Sequence, residues 1–145
     1  MGYIKIWVHL VWTTKDREPS LTNDIRKLVF DHIRENAPRK GIYLNYINGY
    51  TDHVHSLISL GPGQNIDKIM MLLKGESSFW MNKEKIIRKK FEWQDEYFAV
   101  SVSESAVNRL RDYIKNQEHH HRKKSFQEEY NELMRRYGFD RFVSG

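Results

Sequence analysis

His53, Val54 and His55 set two imidazoles two positions apart in a stretch, Asp52 to Leu60, that reads as a strand. Val54, Leu57, Ile58 and Leu60 supply β-branched and apolar bulk, and Gly61-Pro62-Gly63 ends the run sharply. Successive strand side chains point to opposite faces, so His53 and His55 share one face, about 7 Å apart along the strand. Two imidazoles on a rigid strand hold one divalent metal when a third ligand arrives from another element. The pair alone is weak evidence. Seven histidines in 145 residues give a His-x-His by chance in about one such chain in three, and strand histidines are also satisfied by backbone carbonyls.

A third ligand and a nucleophile are offered by Arg109 to Gln117. Val107, Leu110 and Ile114 mark this segment as a helix, and Tyr113 and Gln117, four apart, stack on one side of it about 6 Å along the axis. If that helix packs on the histidine strand, two imidazoles, an amide oxygen and a phenol converge. Neutral nitrogen and oxygen ligands with open positions suit Mg²⁺ or Mn²⁺, the remaining charge being met by a phosphate; Zn²⁺ or Ni²⁺ could occupy the same donors. Taken singly, a Tyr-x-x-x-Gln is an amphipathic residue at the edge of a core followed by a solvated one.

The elements that must position these groups follow from periodicity. Tyr3 to Thr14 reads as a strand with bulk on both faces, hence an inner strand covered on both sides. Lys15 to Pro19 is a charged loop. Leu21, Ile25, Leu28, Val29, His32 and Ile33 recur at helical spacing, with Thr22 or Ser20 as cap and Pro38 and Gly41 as stops. Ile42 to Thr51 is a second strand, joined to the histidine strand by a connection short enough for an antiparallel hairpin. Ile66, Ile69, Met70, Leu73 and Trp80 mark another helix, with Gly75 as its weak point, and the basic run Lys83 to Lys90 follows. Tyr97 to Ser103 is a strand, Ser103 or Ser105 can cap the tyrosine helix, and Ser125-Phe126-Gln127-Glu128 opens a last helix with a capping box, stopped by Gly138. The order βαββαβαα predicts one α+β domain over 1–145, a mostly antiparallel sheet with helices packed on it.

Composition bounds the function. Hydrophobic residues make up 39%, enough for a core in one domain of this length. With no cysteine, disulfides and thiolate metal sites are excluded and a reducing cytosol is compatible. No signal peptide or apolar run of membrane-spanning length is visible, so no membrane partner is expected. A net charge of +5 and a pI of about 9.4 favour a polyanionic partner. No Gly-x-x-x-x-Gly-Lys-Ser/Thr loop points to a nucleotide cofactor.

His53-Val54-His55 is similar to the His-hydrophobic-His motif of the HUH single-strand DNA nucleases, and Tyr113 to His121 resembles the catalytic helix of the IS200/IS605-type single-tyrosine (Y1) transposases. Further matching pieces are Val8-His9-Leu10-Val11-Trp12 with Lys15, Lys74-Gly75-Glu76-Ser77-Ser78, Trp93-Gln94, Ser101-Val102-Ser103 and Phe126-Gln127-Glu128-Glu129-Tyr130. They fall in the right order over nearly the whole chain, which is far more specific than any one of them. Asp95-Glu96-Tyr97-Phe98 departs from the family, where a glycine-containing aromatic turn is usual. The REP-associated tyrosine transposases share the same motifs.

The resemblance implies a ferredoxin- or RRM-like HUH fold and a transposase that cleaves and rejoins single-stranded DNA. Tyr113 would be the nucleophile, forming a 5′-phosphotyrosine, and His53, His55 and Gln117 the ligands of Mg²⁺ or Mn²⁺. It further implies DNA hairpins as substrate, a homodimer in which one subunit's tyrosine helix completes the other's histidine pair, and a prokaryotic, cytoplasmic protein, nucleoid-associated when DNA-bound. Lys15, Arg17, Lys83, Lys85, Arg88, Lys89 and Lys90 are candidate phosphate contacts and Trp93 a candidate base-stacking residue, against the commoner reading of such charges as a solvated face. His120 and His121 are candidates for a supporting role around the metal, and His9 reads as a sheet histidine rather than a ligand. Two rivals remain. A sheet carrying Tyr43, Tyr46, Tyr50 and Phe98 fits a non-catalytic nucleic-acid-binding module, and the histidine pair with Gln117 fits a hydrolytic metalloenzyme that forms no protein–DNA bond.

Overall fold

The computed structural model of the chain describes residues 2–137. Four strands, β1 (Ile6–Thr14), β2 (Tyr43–Gly49), β3 (His53–Leu60) and β4 (Trp93–Val102), form one sheet in the order β2-β3-β1-β4, every neighbouring pair antiparallel. Among the described residues five α-helices cover it: α1 (Asn23–Asn36), α2 (Ile66–Lys83), α3 (Val107–Lys115), α4 (Gln117–His121) and α5 (Phe126–Arg136). This is the expected α+β architecture, with β1 inside the sheet and bulk on both its faces.

Register explains the layering. Val11 pairs with His55 on one side and Phe98 on the other, and His9 with Leu57 and Val100, so these side chains share a face. The opposite face carries Val8, Leu10, Trp12, Val54 and Ile58, which form the main core with Val29, Phe30 and Ile33 of α1 and Ile69, Met70 and Leu73 of α2. The histidine face is divided between two smaller clusters: Trp7 and Leu57 under Val107 and Ile114 of α3, and Val11 and Phe98 under Phe126 and Leu133 of α5. The helices carrying Tyr113 and Glu129 are thus anchored on either side of the two histidines.

Several boundaries differ from the sequence expectation. β4 begins at Trp93, four residues before Tyr97, because the Trp93 ring is drawn into the core, where Nε1 donates to Ser77 Oγ (2.9 Å) and Trp12 and Phe91 pack edge-on. Thr22 holds the N-cap position of α1, but its hydroxyl makes no capping bond. Neither Ser103 nor Ser105 caps α3, because a 3₁₀ turn over Glu104–Ala106 intervenes and leaves Ala106 at the N-cap. The capping box of α5 is present, with Glu128 N donating to Ser125 Oγ (3.2 Å); Gly138, its expected stop, lies outside the described residues. α2 runs through Gly75 without interruption.

The β2–β3 hairpin fixes the backbone beneath His53. Tyr50 N donates to His53 O (3.0 Å), and a Cβ at Gly49 would sit 2.1 Å from that same oxygen. Gly49→Ala is therefore expected to force the hairpin open and to lower the unfolding free energy by about 2 kcal/mol or more. A urea titration measures this; an unchanged midpoint would show that the turn relaxes freely.

Candidate active site

β3 delivers His53 and His55, both fully buried, with ring centroids 5.1 Å apart. Each ring is oriented from behind. Asp52 Oδ1 lies 2.8 Å from His53 Nδ1, so that nitrogen carries the proton and Nε2 faces inward. His55 Nδ1 lies 2.9 Å from Nε2 of His9, which stacks against it from β1. His9 is thus the expected sheet histidine, and it also sets the orientation of a site residue.

α3 and α4 bring Tyr113 and Gln117. The helix is not continuous through them. α3 ends at Lys115, where Asn48 Nδ2 from β2 donates to the carbonyls of Ile114 (3.0 Å) and Lys115 (3.1 Å), and α4 restarts at Gln117 beyond Asn116. The i, i+4 relation survives the break, with Gln117 Nε2 3.5 Å from the Tyr113 carbonyl oxygen. Gln117 is fully buried, and its Oε1 lies 2.9 Å from His53 Nε2. The Tyr113 ring stands edge-on to His55 with centroids 5.6 Å apart. The two imidazoles, the amide and the phenol therefore meet within one chain.

At their centre is Glu129, a residue the sequence analysis did not single out. It comes from α5 and is 1% exposed. Its Oε1 is 3.1 Å from His55 Nε2, 3.4 Å from His53 Nε2 and 3.1 Å from His121 Nε2. Its Oε2 accepts from Gln117 Nε2 (3.2 Å) and from the Tyr113 hydroxyl. The available signal was position: Phe126, Glu129 and Leu133 fall on one stripe of α5, so a carboxylate stands where the helix should be apolar. A buried carboxylate needs compensating charge or donors.

Electrostatics follow from this packing. Burial alone would raise the Glu129 carboxyl, but the imidazoles of His121, His53 and His55 hold it far below the usual carboxylate range. Burial, and then the charge of Glu129 and the hydrogen bond to it, push the Tyr113 phenol far above its ordinary value, so the phenol is neutral at rest. His55 is lowered to about 4 by burial, and His9 is lowered by burial and by His55. Burial also works against the charged form of His53, but Asp52, Glu129 and Gln117 outweigh it and the net shift is upward.

These shifts have opposite consequences for the metal-free chain. A histidine raised in the folded state stabilises the fold below its unfolded value of about 6.5, and that contribution disappears as pH climbs through the folded value; this is His53. A lowered histidine leaves the unfolded state binding more protons as pH falls below about 6.5, so His9 and His55 withdraw stability, His55 down to about 4. Among these three residues stability should therefore peak near pH 6.5. Urea unfolding in EDTA from pH 4 to pH 9 checks this, and a monotonic rise toward pH 9 would contradict it.

The donor set fits a divalent cation. With its Nδ1 proton committed to Asp52, His53 Nε2 can face Gln117 Oε1 at 2.9 Å only with a second ring proton or a cation between the two atoms. One ligand atom each from His53, His55 and Glu129 lies within 4.8 Å of the others.

The chain matches the family model described as Transposase IS200 like over residues 3–117. It belongs to the IS200-like transposases. It is 30% identical over 123 residues to the ISDra2 transposase TnpA of Deinococcus radiodurans, covering 80% of this chain and 87% of that protein. A crystal structure assigned to a transposase from Deinococcus radiodurans R1 superposes with a TM-score of 0.65 at 28% identity, covering 81% of this chain and 95% of that one. The structure of a REP-associated tyrosine transposase bound to a REP hairpin superposes with a TM-score of 0.58 at 16% identity, covering 83% and 72%, a likeness of fold. This transposase is thus a single-tyrosine enzyme of the HUH kind acting on single-stranded DNA, with a His/Glu cluster able to chelate a divalent metal beside the tyrosine. Among the described residues no helix is long and apolar enough to cross a membrane.

The remaining site candidates divide. Lys83, the last residue of α2, and Lys85, Arg88, Lys89 and Lys90 beyond it are exposed. Lys89 pairs with Glu18, while Lys15 (2.8 Å) and Lys90 (3.4 Å) share Glu92. Arg17 lies over the Phe126 and Tyr130 rings at 5.0 and 5.3 Å and donates to Gln127, which commits it to α5. Trp93 departs from the stacking expectation: the residue is 7% exposed and its ring is packed against Trp12 and Phe91, which leaves little of it open to a base. His121 turns into the site and His120 borders it, with side chains 2% and 28% exposed. Lys74 and Ser77, in the motif on α2, anchor β4 through the Gln94 and Asp95 carbonyls and Trp93 Nε1.

Proposed function

We propose that this transposase recognises DNA hairpins and uses Tyr113 to open and reseal a single strand, with His53, His55 and Gln117, joined by Glu129, holding Mg²⁺ or Mn²⁺. The observation that carries the reading is the Tyr113 hydroxyl on Glu129, the carboxylate that also joins the two imidazoles. Tyr113 Oη attacks the scissile phosphorus, the bond to the 3′-oxygen breaks, and that oxygen leaves with a proton as a free 3′-OH. The phosphodiester energy is kept in the 5′-phosphotyrosine, so a second 3′-OH reverses the step without a nucleotide cofactor. The bound cation would polarise the phosphate and offset the Glu129 charge that now holds the phenol proton in place.

A cleft of about 440 Å³ opens on the Tyr113 side, lined by Arg109, Arg136, Ser101 and His9, and offers a cationic path for a strand. A larger hollow of about 750 Å³ between α2 and β4, lined by Lys15, Lys74 and Lys90, lies away from the tyrosine. The stacking module is disfavoured because α3 covers Tyr46, α5 covers Phe98 and Tyr50 is stacked on His121, while Tyr43 stays exposed. A homodimer is supported by the likeness to the family, with the 3₁₀ turn before α3 and the break at Asn116 as the places where the tyrosine helix could pass to a second subunit. The REP-hairpin complex of the structural relative supports a hairpin substrate.

The test is one gel. Labelled single-stranded hairpin DNA with protein and Mn²⁺ should give a covalent adduct that EDTA abolishes. Cleaved DNA with no attached protein would instead establish the hydrolytic reading, and retention without cleavage the binding module.

A further inference from the structure

We infer that the cleft beside Tyr113 holds the strand that stays attached to the protein, with Arg109 and Arg136 taking the first phosphate beyond the one bonded to the tyrosine. The inference deepens the reading of Tyr113 as the nucleophile and rests on it.

Polarity follows from the direction of attack. An in-line displacement at phosphorus puts the leaving 3′-oxygen on the far side from the phenol oxygen. The segment that ends in the new 3′-OH is therefore carried away from the tyrosine. The 5′-oxygen of the other segment lies across that axis and stays bonded to phosphorus, so that segment can turn back along the tyrosine's own side. The cleft lies on that side. Tyr113 sends its hydroxyl to Glu129 in the histidine cluster, while its ring forms part of the cleft wall.

The lining suits a nucleotide. Arg109 stands one helical turn before Tyr113 on α3, so the two share a face and travel together wherever that helix docks. Arg136 enters from the last turn of α5. Both arginines are exposed, and among the described residues neither side chain has an ion-pair or hydrogen-bond partner. Among the described residues no carboxylate lines this cleft, whereas Asp67, Glu92 and Asp95 line the larger hollow between α2 and β4. Cations without carboxylates attract a phosphate chain; a mixed lining does so far less. Tyr137, 38% exposed, adds an aromatic wall on which a base can stack. His9 also lines the cleft, is 1% exposed, and its Nδ1 has no hydrogen-bond partner among the described residues, a buried polar atom whose partner the chain does not supply. The volume of about 440 Å³ is that of a pocket for one nucleotide-sized group.

The test is calorimetric binding of short strands to the full chain with Mn²⁺. The probes are thymidine 5′-monophosphate, tetrathymidylate with a 5′-phosphate and tetrathymidylate with a 3′-phosphate. The 5′-phosphorylated strand should bind at least about 10-fold more tightly than the mononucleotide, and Arg109→Gln/Arg136→Gln, at two exposed positions, should remove that gain while leaving the mononucleotide within a few-fold. An uncharged methylphosphonate at the first internucleotide linkage should cost the unmodified chain the same factor and the double variant nothing further. Equal affinity for the mononucleotide and the 5′-phosphorylated strand, absence of binding included, overturns the cleft as a strand site. An equal loss on the mononucleotide puts the arginines on the tyrosine's own phosphate and overturns it as well. An equal loss on the 3′-phosphorylated strand overturns the polarity. No adduct forms in these titrations, so their outcome and that of the hairpin gel fail separately.

Discussion

Tyr113→Phe should lower the rate of adduct formation on hairpin DNA by at least about 10³-fold, because it removes the hydroxyl that the proposed mechanism uses to accept the phosphoryl group. Metal binding should persist, since the imidazoles, Gln117 and Glu129 remain. The variant therefore separates two roles: Mn²⁺ affinity within a few-fold of the unmodified chain, with adduct formation reduced to background. The substitution also deletes the hydrogen bond from the phenol to the Glu129 carboxylate, which should destabilise the metal-free chain by about 1.5–3 kcal/mol. Quantified gels over time and a urea titration check the two effects. Adduct formation by Tyr113→Phe at the normal rate would place the nucleophile elsewhere.

Glu129→Gln has the second large expected effect. The amide is nearly isosteric but carries no charge, so the cluster keeps its volume and loses its one buried carboxylate. Mn²⁺ affinity should fall by at least about 10- to 100-fold, about 1.4–2.7 kcal/mol. The pH dependence changes too. Glu129 is one of the groups that raise His53 against the burial that would lower it, so without it His53 contributes less stability below pH 6.5. The loss of stability above pH 6.5 should shrink, and the loss below pH 6.5 should deepen, because Glu129 also raises His55 and His9. Calorimetry with Mn²⁺ and urea titrations across pH measure both; unchanged Mn²⁺ affinity would remove Glu129 from the ligand set.

What the chain discloses depends on whether a residue's role follows a fixed period. The alternation of β3 puts His53 and His55 on one face whatever they pack against, and helical spacing ties Gln117 to Tyr113 even across the break at Asn116. Both pairings are local geometry. Glu129 was not legible because its role comes from tertiary placement: only once α5 lies across the sheet do Glu129 and the histidines, 74 residues apart from His55 in sequence, share one cavity. The trace it left was a carboxylate on an otherwise apolar stripe. Trp93 misled for the same reason. An aromatic residue after a basic run resembles a stacking platform, but the hydroxyl of Ser77 on α2 and the rings of Trp12 and Phe91 capture it. The break before Gln117 is likewise invisible locally, since it is set by Asn48 of β2 taking the last carbonyls of α3.

The exposed basic segment after α2 was legible as charge, and its pairing was not. Lys89 and Lys90 are engaged by Glu18 and Glu92, whose positions depend on how the loops meet at the end of the sheet where Lys15 N also donates to Glu92 O (3.0 Å). DNA phosphates would have to displace these carboxylates, so these two lysines should contribute less to binding than Lys83, Lys85 and Arg88.

In the proposed mechanism the phenol beside the paired imidazoles is the group that takes the DNA. The most direct measurement is peptide mapping of the adduct trapped on a single-stranded hairpin with Mn²⁺, digested by nuclease and protease and sequenced by mass spectrometry. A 5′-phosphonucleotide on Tyr113 is the predicted result; the same mass on any other tyrosine, or cleaved strand with every tyrosine unmodified, would contradict it.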